Sequence, residues 1–145
     1  MNDVPVTGWW DGKIHVYPMR VYYADTDAGG VVYHAKYLDF AERARTEMMR
    51  LTDENENYRT NGRGILFVVR KAEIDYRKSA LLDDVLAVRT EVTELGGASF
   101  SISQQICRAE TILASVRITL VCVREMGHPS RMPESLREKL AGLLS

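Results

Sequence analysis

Residues 21–50 read VYYADTDAGGVVYHAKYLDFAERARTEMMR. The stretch passes from an extended run, through a polar turn, into a long amphipathic helix. Tyr22 and Tyr23 end the extended run, Asp25 and Asp27 sit in the turn, and Gly29 and Gly30 break the backbone. Leu38, Ala41, Ala44, Met48 and Leu51 then recur at three- and four-residue steps, which makes one apolar stripe. Tyr37 and Phe40 widen the stripe, while Asp39, Arg43, Glu47 and Arg50 keep the other face wet. The spacing predicts a helix over 34–51, packed against a broad sheet. A carboxylate beside the start of such a helix is an arrangement catalysis can use. The first turn offers unpaired N–H groups and a partial positive charge.

Outward from this stretch, residues 13–23 are β-prone, with Ile14, Val16, Tyr17 and Val21, and Pro18 demotes part of the run to an edge or a bulge. Residues 1–12 read as a loose arm, because Pro5, Gly8 and Gly12 argue against regular structure. Trp9 and Trp10 can anchor that arm on the body or on a partner subunit. Downstream, 52–64 is a polar loop with room for one helical turn at 54–59. Four strands follow, over 65–78, 85–95, 98–108 and 111–124. The last three alternate in period two and are joined by short turns, Gly96-Gly97 being the strongest hairpin signal. Leu136, Leu140 and Leu143 close the chain at helical spacing behind Pro133. The order is strand, long helix, four strands, short helix: an α+β domain over 13–145, with one long helix across one face of an antiparallel sheet. The sheet's other face and its edges need cover, so self-association is expected.

The bulk numbers set limits. A chain of 145 residues is enough for one domain with a sizeable core. Nineteen Lys and Arg against twenty Asp and Glu give a net charge of −1, without the basic excess of a nucleic-acid binder. Cys107 and Cys122 fall in apolar strand-like runs, which predicts buried reduced thiols and a reducing compartment. His15, His34 and His128 are too scattered for a local metal motif. No apolar run approaches the roughly 20 residues that span a bilayer, and the N-terminal residues do not read as a signal peptide. A cytoplasmic location is the expectation.

The order of elements resembles the hotdog fold, a sheet wrapped round one central helix. The run YYADTDAGGVVYHAKYLDFAERARTEMMR, continued by FVVRKAEIDYRKSALLDDVLAVRTEV, resembles the 4-hydroxybenzoyl-CoA thioesterase family, and most closely its Tol-Pal-associated group. The likeness covers roughly residues 13–124. One departure is Ser79, where that group often has proline; it bears on the turn and not on the expected chemistry. The resemblance implies an acyl-CoA thioesterase with Asp27 as the catalytic carboxylate and His34 at the helix start. It also implies sites formed between two subunits, hence a homodimer or homotetramer.

Thioester hydrolysis needs an attacking group and a stabiliser for the oxyanion. Asp27 can attack the carbonyl and form a mixed anhydride, or act as general base on water. It can also simply form the turn or cap the helix. Asp25 reads as the residue that holds the turn. His34 can act through its backbone N–H, its imidazole, or both. Tyr23 can hydrogen-bond near the carboxylate or pack in the core, and Glu42 stays open between an interface role and solvation. Gly30, like Gly29, permits close approach of a substrate. Phe67, Val68 and Val69 are candidates for an acyl or pantetheine tunnel. Arg77 and Lys78 are preferred over Arg63, Arg70 and Lys71 for the coenzyme A phosphates. No cofactor is expected beyond the coenzyme A of the substrate, and no metal. Acyl carrier protein is a second possible carrier. Two other readings are a hotdog dehydratase and a non-catalytic acyl-CoA or acyl carrier protein binding module. An acid that precedes the histidine in one loop favours hydrolysis over dehydration.

Overall fold

A single antiparallel sheet curls round one long helix in the computed structural model, which describes residues 6–53, 64–124 and 127–145. The strands are β1 (Trp9–Asp11), β2 (Ile14–Arg20), β3 (Leu66–Tyr76), β4 (Val85–Leu95), β5 (Ser99–Arg108) and β6 (Thr111–Val123). The helices are α1 (Lys36–Thr52) and α2 (Glu134–Gly142). Across the sheet the order is β1-β2-β4-β5-β6-β3. The expected turn at 54–59, and Arg63, lie outside the described residues.

The meander of β4, β5 and β6 forms as the alternation predicts. Leu86, Val88, Thr90 and Val92 are buried, as are Phe100, Ile102, Gln104 and Ile106, and Ala114, Val116, Ile118 and Leu120. Period-two strands put all of these on one inner face. The Gly96 N–H donates to Ser99 O at 2.7 Å and closes the first hairpin. Strand β3 then pairs with β6 and forms the sheet's far edge, with a register shift between Val69 and Lys71.

Helix α1 lies across the inner face, but its buried stripe is rotated from the one expected. Tyr37, Phe40, Ala41, Ala44, Met48 and Met49 are buried, whereas Leu38 and Leu51 are exposed. Two small residues, Ala41 and Ala44, are fully buried at the middle of the contact. Their short side chains bring the helix backbone close to the sheet. Gln104 Nε2 on β5 reaches that backbone, donating to Ala41 O at 2.9 Å, and also donates to Thr90 Oγ1 at 3.1 Å. The helix starts at Lys36, two residues later than the spacing suggests, with His34 and Ala35 in the turn that leads in.

The N-terminal arm needs correcting. Trp9–Asp11 is a short strand paired with β2, and the two glycines bracket it rather than dissolve it. Gly12 has φ 62° and Lys13 does not share the positive φ, which suits a two-residue turn of type II′. Trp10 packs edge-on against the buried His15 ring at 5.3 Å, and His15 Nε2 bonds Thr7 O at 2.7 Å. Pro18 sits in the β2–β4 ladder without a register shift, beyond the end of β1. The edge reading holds there and the bulge reading does not. At the C-terminus α2 buries Leu136 and Leu140. Both cysteines are buried and unbonded. No helix among the described residues is long and apolar enough to cross a membrane.

The close approach at Ala44 gives a direct test. Ala44→Leu puts a branched side chain where there is no room, and destabilises by about 1–3 kcal/mol. Urea unfolding of the variant against wild type measures it, and an unchanged midpoint would show that α1 does not sit this close.

Candidate active site

The loop between β2 and α1 is held by its own polar atoms. Tyr23–Asp25 makes one turn of 3-10 helix. Asp25 is buried, and its Oδ2 accepts the Tyr22 N–H at 2.9 Å. Its carbonyl accepts the Tyr33 N–H at 2.9 Å, and Lys36 Nζ stands 3.7 Å from Oδ1. Asp25 thus ties both ends of the loop, which is the structural part expected of it.

Asp27 sits at the exposed tip. Its N–H donates to Val31 O at 2.9 Å and its carbonyl accepts the Gly30 N–H at 3.1 Å. Oδ1 accepts the Gly29 N–H at 2.8 Å, the two-residue reach common to aspartates in turns. Oδ2 has no partner among the described residues, so the carboxylate is fixed by one oxygen and open at the other. Gly30, at φ 82°, closes the turn in a backbone region that disfavours other residues.

Asp27 and His34 line one cavity of about 360 Å3, together with Val31, Val32, Tyr37, Tyr76, Arg77, Lys78 and Ser79. The expected acid, the helix-start histidine and the preferred basic pair therefore meet in one place. Arg77 Nε is 3.2 Å from Asp75 Oδ2, and Lys78 has no ion-pair partner among the described residues. The backbone N–H groups of His34 and Ala35 likewise find no acceptor among the described residues.

Other candidates fall elsewhere. Tyr23 is neither a core residue nor a wall of this cavity; it is 82% exposed. Gly30 shapes the turn and does not line the cavity. Phe67 and Val69 line a second cavity of about 290 Å3, with Glu42, Arg45, Thr46, Met49, Leu66 and Leu120. Val68 faces the opposite side of the sheet from them, as period two demands, so the three do not form one wall. Ser79 is a wall of the first cavity and so stands closer to the chemistry than expected.

Two tyrosines complete the site. Tyr37, read as part of the apolar stripe, accepts the Ala80 N–H at its hydroxyl at 2.9 Å. Tyr76 carries no such signal in the sequence, although DYRKSA places it beside Arg77 and Lys78. Its hydroxyl donates to His34 O at 2.8 Å, and its ring stands edge-on to those of His34 and Tyr37. Burial, and then the neighbouring Tyr37 hydroxyl, push Tyr76 above the ordinary tyrosine pKa, so it stays a neutral donor. Among the described residues no group of His, Cys, Asp and Glu is placed to hold a metal ion.

A curled sheet with an acid at the mouth of its central helix is the arrangement of a hotdog-fold thioesterase. Comparison with known proteins agrees. Residues 21–140 match the model of the thioesterase-like superfamily, and the chain belongs to that family. It is 45% identical to the acyl-CoA thioester hydrolase YbgC of Escherichia coli O6:H1, over 83% of this chain and 90% of that protein. Against the acyl-CoA thioesterase YbgC of Haemophilus influenzae the identity is 46%, over 74% and 79% of the two chains. A crystal structure of a probable thioesterase from Bartonella henselae superposes with a TM-score of 0.77 at 38% identity, covering 83% of this chain and 99% of that one.

The outer wall of the site is braced by charge. Arg108 Nη1 bonds Asp84 Oδ2 at 2.6 Å and reaches Ser79 O at 3.3 Å. Burial raises the Asp84 carboxyl, but the Leu81 N–H and the Arg108 guanidinium outweigh it and leave the pKa below its usual value. A depressed carboxylate adds stability above its unfolded pKa and loses it as pH falls through the folded one. Asp84→Asn is therefore less stable than wild type at neutral pH, and the gap closes in acid below about pH 4. Thermal melts of both proteins across pH 2–8 check this; a gap that widens in acid has the wrong sign.

Proposed function

We infer that the chain is an acyl-CoA thioesterase in which Asp27 is the acting carboxylate and the turn at His34 the oxyanion site. The observation that carries this reading is the shared cavity of Asp27, His34, Arg77 and Lys78. The free Oδ2 of Asp27 is the oxygen available to react. As nucleophile it adds to the thioester carbonyl, the C–S bond breaks, and coenzyme A leaves as thiolate. Water then cleaves the mixed anhydride. As general base the same oxygen takes a proton from the attacking water. In both routes negative charge builds on the carbonyl oxygen, where the N–H groups of His34 and Ala35 are unoccupied donors. Arg77 and Lys78 supply positive charge for the phosphates of the carrier.

Asp27→Asn lowers hydrolysis at least about 100-fold while the fold stays intact. The assay is released thiol from a panel of acyl-CoA and acyl carrier protein thioesters. Wild-type rates in the variant sink the mechanism. Binding without hydrolysis by the wild-type chain favours a binding module, and preferred turnover of acyl carrier protein thioesters changes the carrier. Buried unbonded thiols support a reducing, cytoplasmic location.

The working unit is a homodimer, or a homotetramer built from two of them. Strand β3 is an open edge, and Leu66, Val68, Val69 and Tyr76 along it are each 44–45% exposed. An apolar edge of this kind is unusual in a monomer. The Asp27 tip is equally uncovered, and a second copy on β3 would close the seam beside it. Analytical ultracentrifugation at assay concentration is expected to give twice the 16.4 kDa chain mass or a multiple of that. A fully active monomer overturns it.

A further inference from the structure

We propose that Tyr76 is a positioning residue for the oxyanion site, acting through the backbone of His34 rather than on the substrate. The inference rests on the reading that the helix start stabilises the oxyanion. Two N–H groups without an acceptor among the described residues stand there, those of His34 and Ala35. Each belongs to a peptide whose carbonyl end must be held if the N–H is to point one way. The Tyr33–His34 peptide is held locally, because the Lys36 N–H donates to Tyr33 O at 2.8 Å. The His34–Ala35 peptide has no such local partner of good length. The Tyr37 N–H approaches His34 O only to 3.4 Å. The strong bond to that carbonyl comes from Tyr76 on β3, 42 residues away in sequence, at 2.8 Å.

That bond does two things. It fixes the plane of the peptide, and so the direction of the Ala35 N–H on its opposite side. It also draws electron density toward the carbonyl, which strengthens the N–H as a donor. The ring is itself held between His34 and Tyr37, with centroids at 6.3 and 5.4 Å. Its pKa lies above the ordinary tyrosine value, so the hydroxyl is a protonated donor at neutral pH.

Tyr76→Phe keeps the ring and removes only the hydroxyl. Loss of one direct oxyanion donor costs about 100- to 1000-fold, so loosening one donor is expected to lower kcat by about tenfold. KM is expected to stay within about twofold. The decisive readout is the thioester carbonyl stretch of an acyl-CoA carrying 13C at the carbonyl, bound to the slow Asp27→Asn protein. Donors at the helix start shift that band to lower frequency relative to free substrate. Adding Tyr76→Phe is expected to shrink the shift. Site-specific fluorotyrosine at position 76, a stronger donor on a similar ring, moves the band the other way.

A full shift that Tyr76→Phe leaves unchanged overturns the positioning role while the oxyanion site stands. A rise in KM with an unchanged band makes Tyr76 a substrate contact and also overturns it. No shift in the Asp27→Asn protein at all removes the oxyanion site, and the proposal with it.

Discussion

The close seat of α1 in the concave face of the sheet is the constraint from which the rest follows. It depends on Ala41 and Ala44, buried completely where a larger side chain would push the helix away. Gln104 makes the seat specific. Its amide donates into the helix backbone at Ala41, so the helix cannot slide along the sheet without leaving a buried donor unpaired. With the middle of α1 held, its first turn is carried to the end of the sheet where β3 stops at Tyr76. The geometry of the candidate site starts from that placement.

The loop that carries Asp27 is then braced from both sides. On its inner side Asp25 ties Tyr22 to Tyr33. On its outer side Val32 N donates to Ala80 O, Ala80 N donates to the Tyr37 hydroxyl, and Arg108 with Asp84 holds the 79–84 turn in place. Helix, Asp27 loop and outer turn therefore constrain one another. This suits chemistry in which charge appears on one oxygen and must meet donors that already point at it.

The parts of this that were legible in the sequence are those with local periodicity. Strands β4, β5 and β6 follow from alternation and from short turns, and α1 follows from a long three-and-four pattern. Asp27 and His34 stand in one short motif, and the family resemblance gave them roles. What was not legible depends on contacts far apart in the chain. Two overlapping stripes can be drawn on α1, and only the sheet beneath decides that Met49 goes inward while Leu38 and Leu51 do not. The run Phe67–Val69 looks uniform as a string, yet the pleat sends Val68 to the other face. Tyr76 lies in a strand-like run, where a tyrosine is ordinary. Nothing nearby signals that its hydroxyl reaches His34, 42 residues earlier. The strand at Trp9–Asp11 is not legible because Gly8 and Gly12 read as breakers, when Gly12 is the turn that lets the strand pair.

The same layout separates reaction from preference. Among the described residues, the polar groups that the proposed mechanism uses lie around the start of α1 and the end of β3. Phe67 and Val69 lie toward the start of β3, against Glu42, Arg45 and Met49 of the helix. A helix rises about 1.5 Å per residue, so Glu42 is about 9 Å along the axis from Lys36, where α1 starts. On the proposed mechanism a short acyl group ends inside the first cavity and never meets those side chains. If the acyl chain runs along α1 toward the second cavity, only a group long enough to leave the first one reaches them. On that reading substitutions at Phe67 or Val69 alter which chain is accepted without touching Asp27, His34 or the peptide that Tyr76 holds.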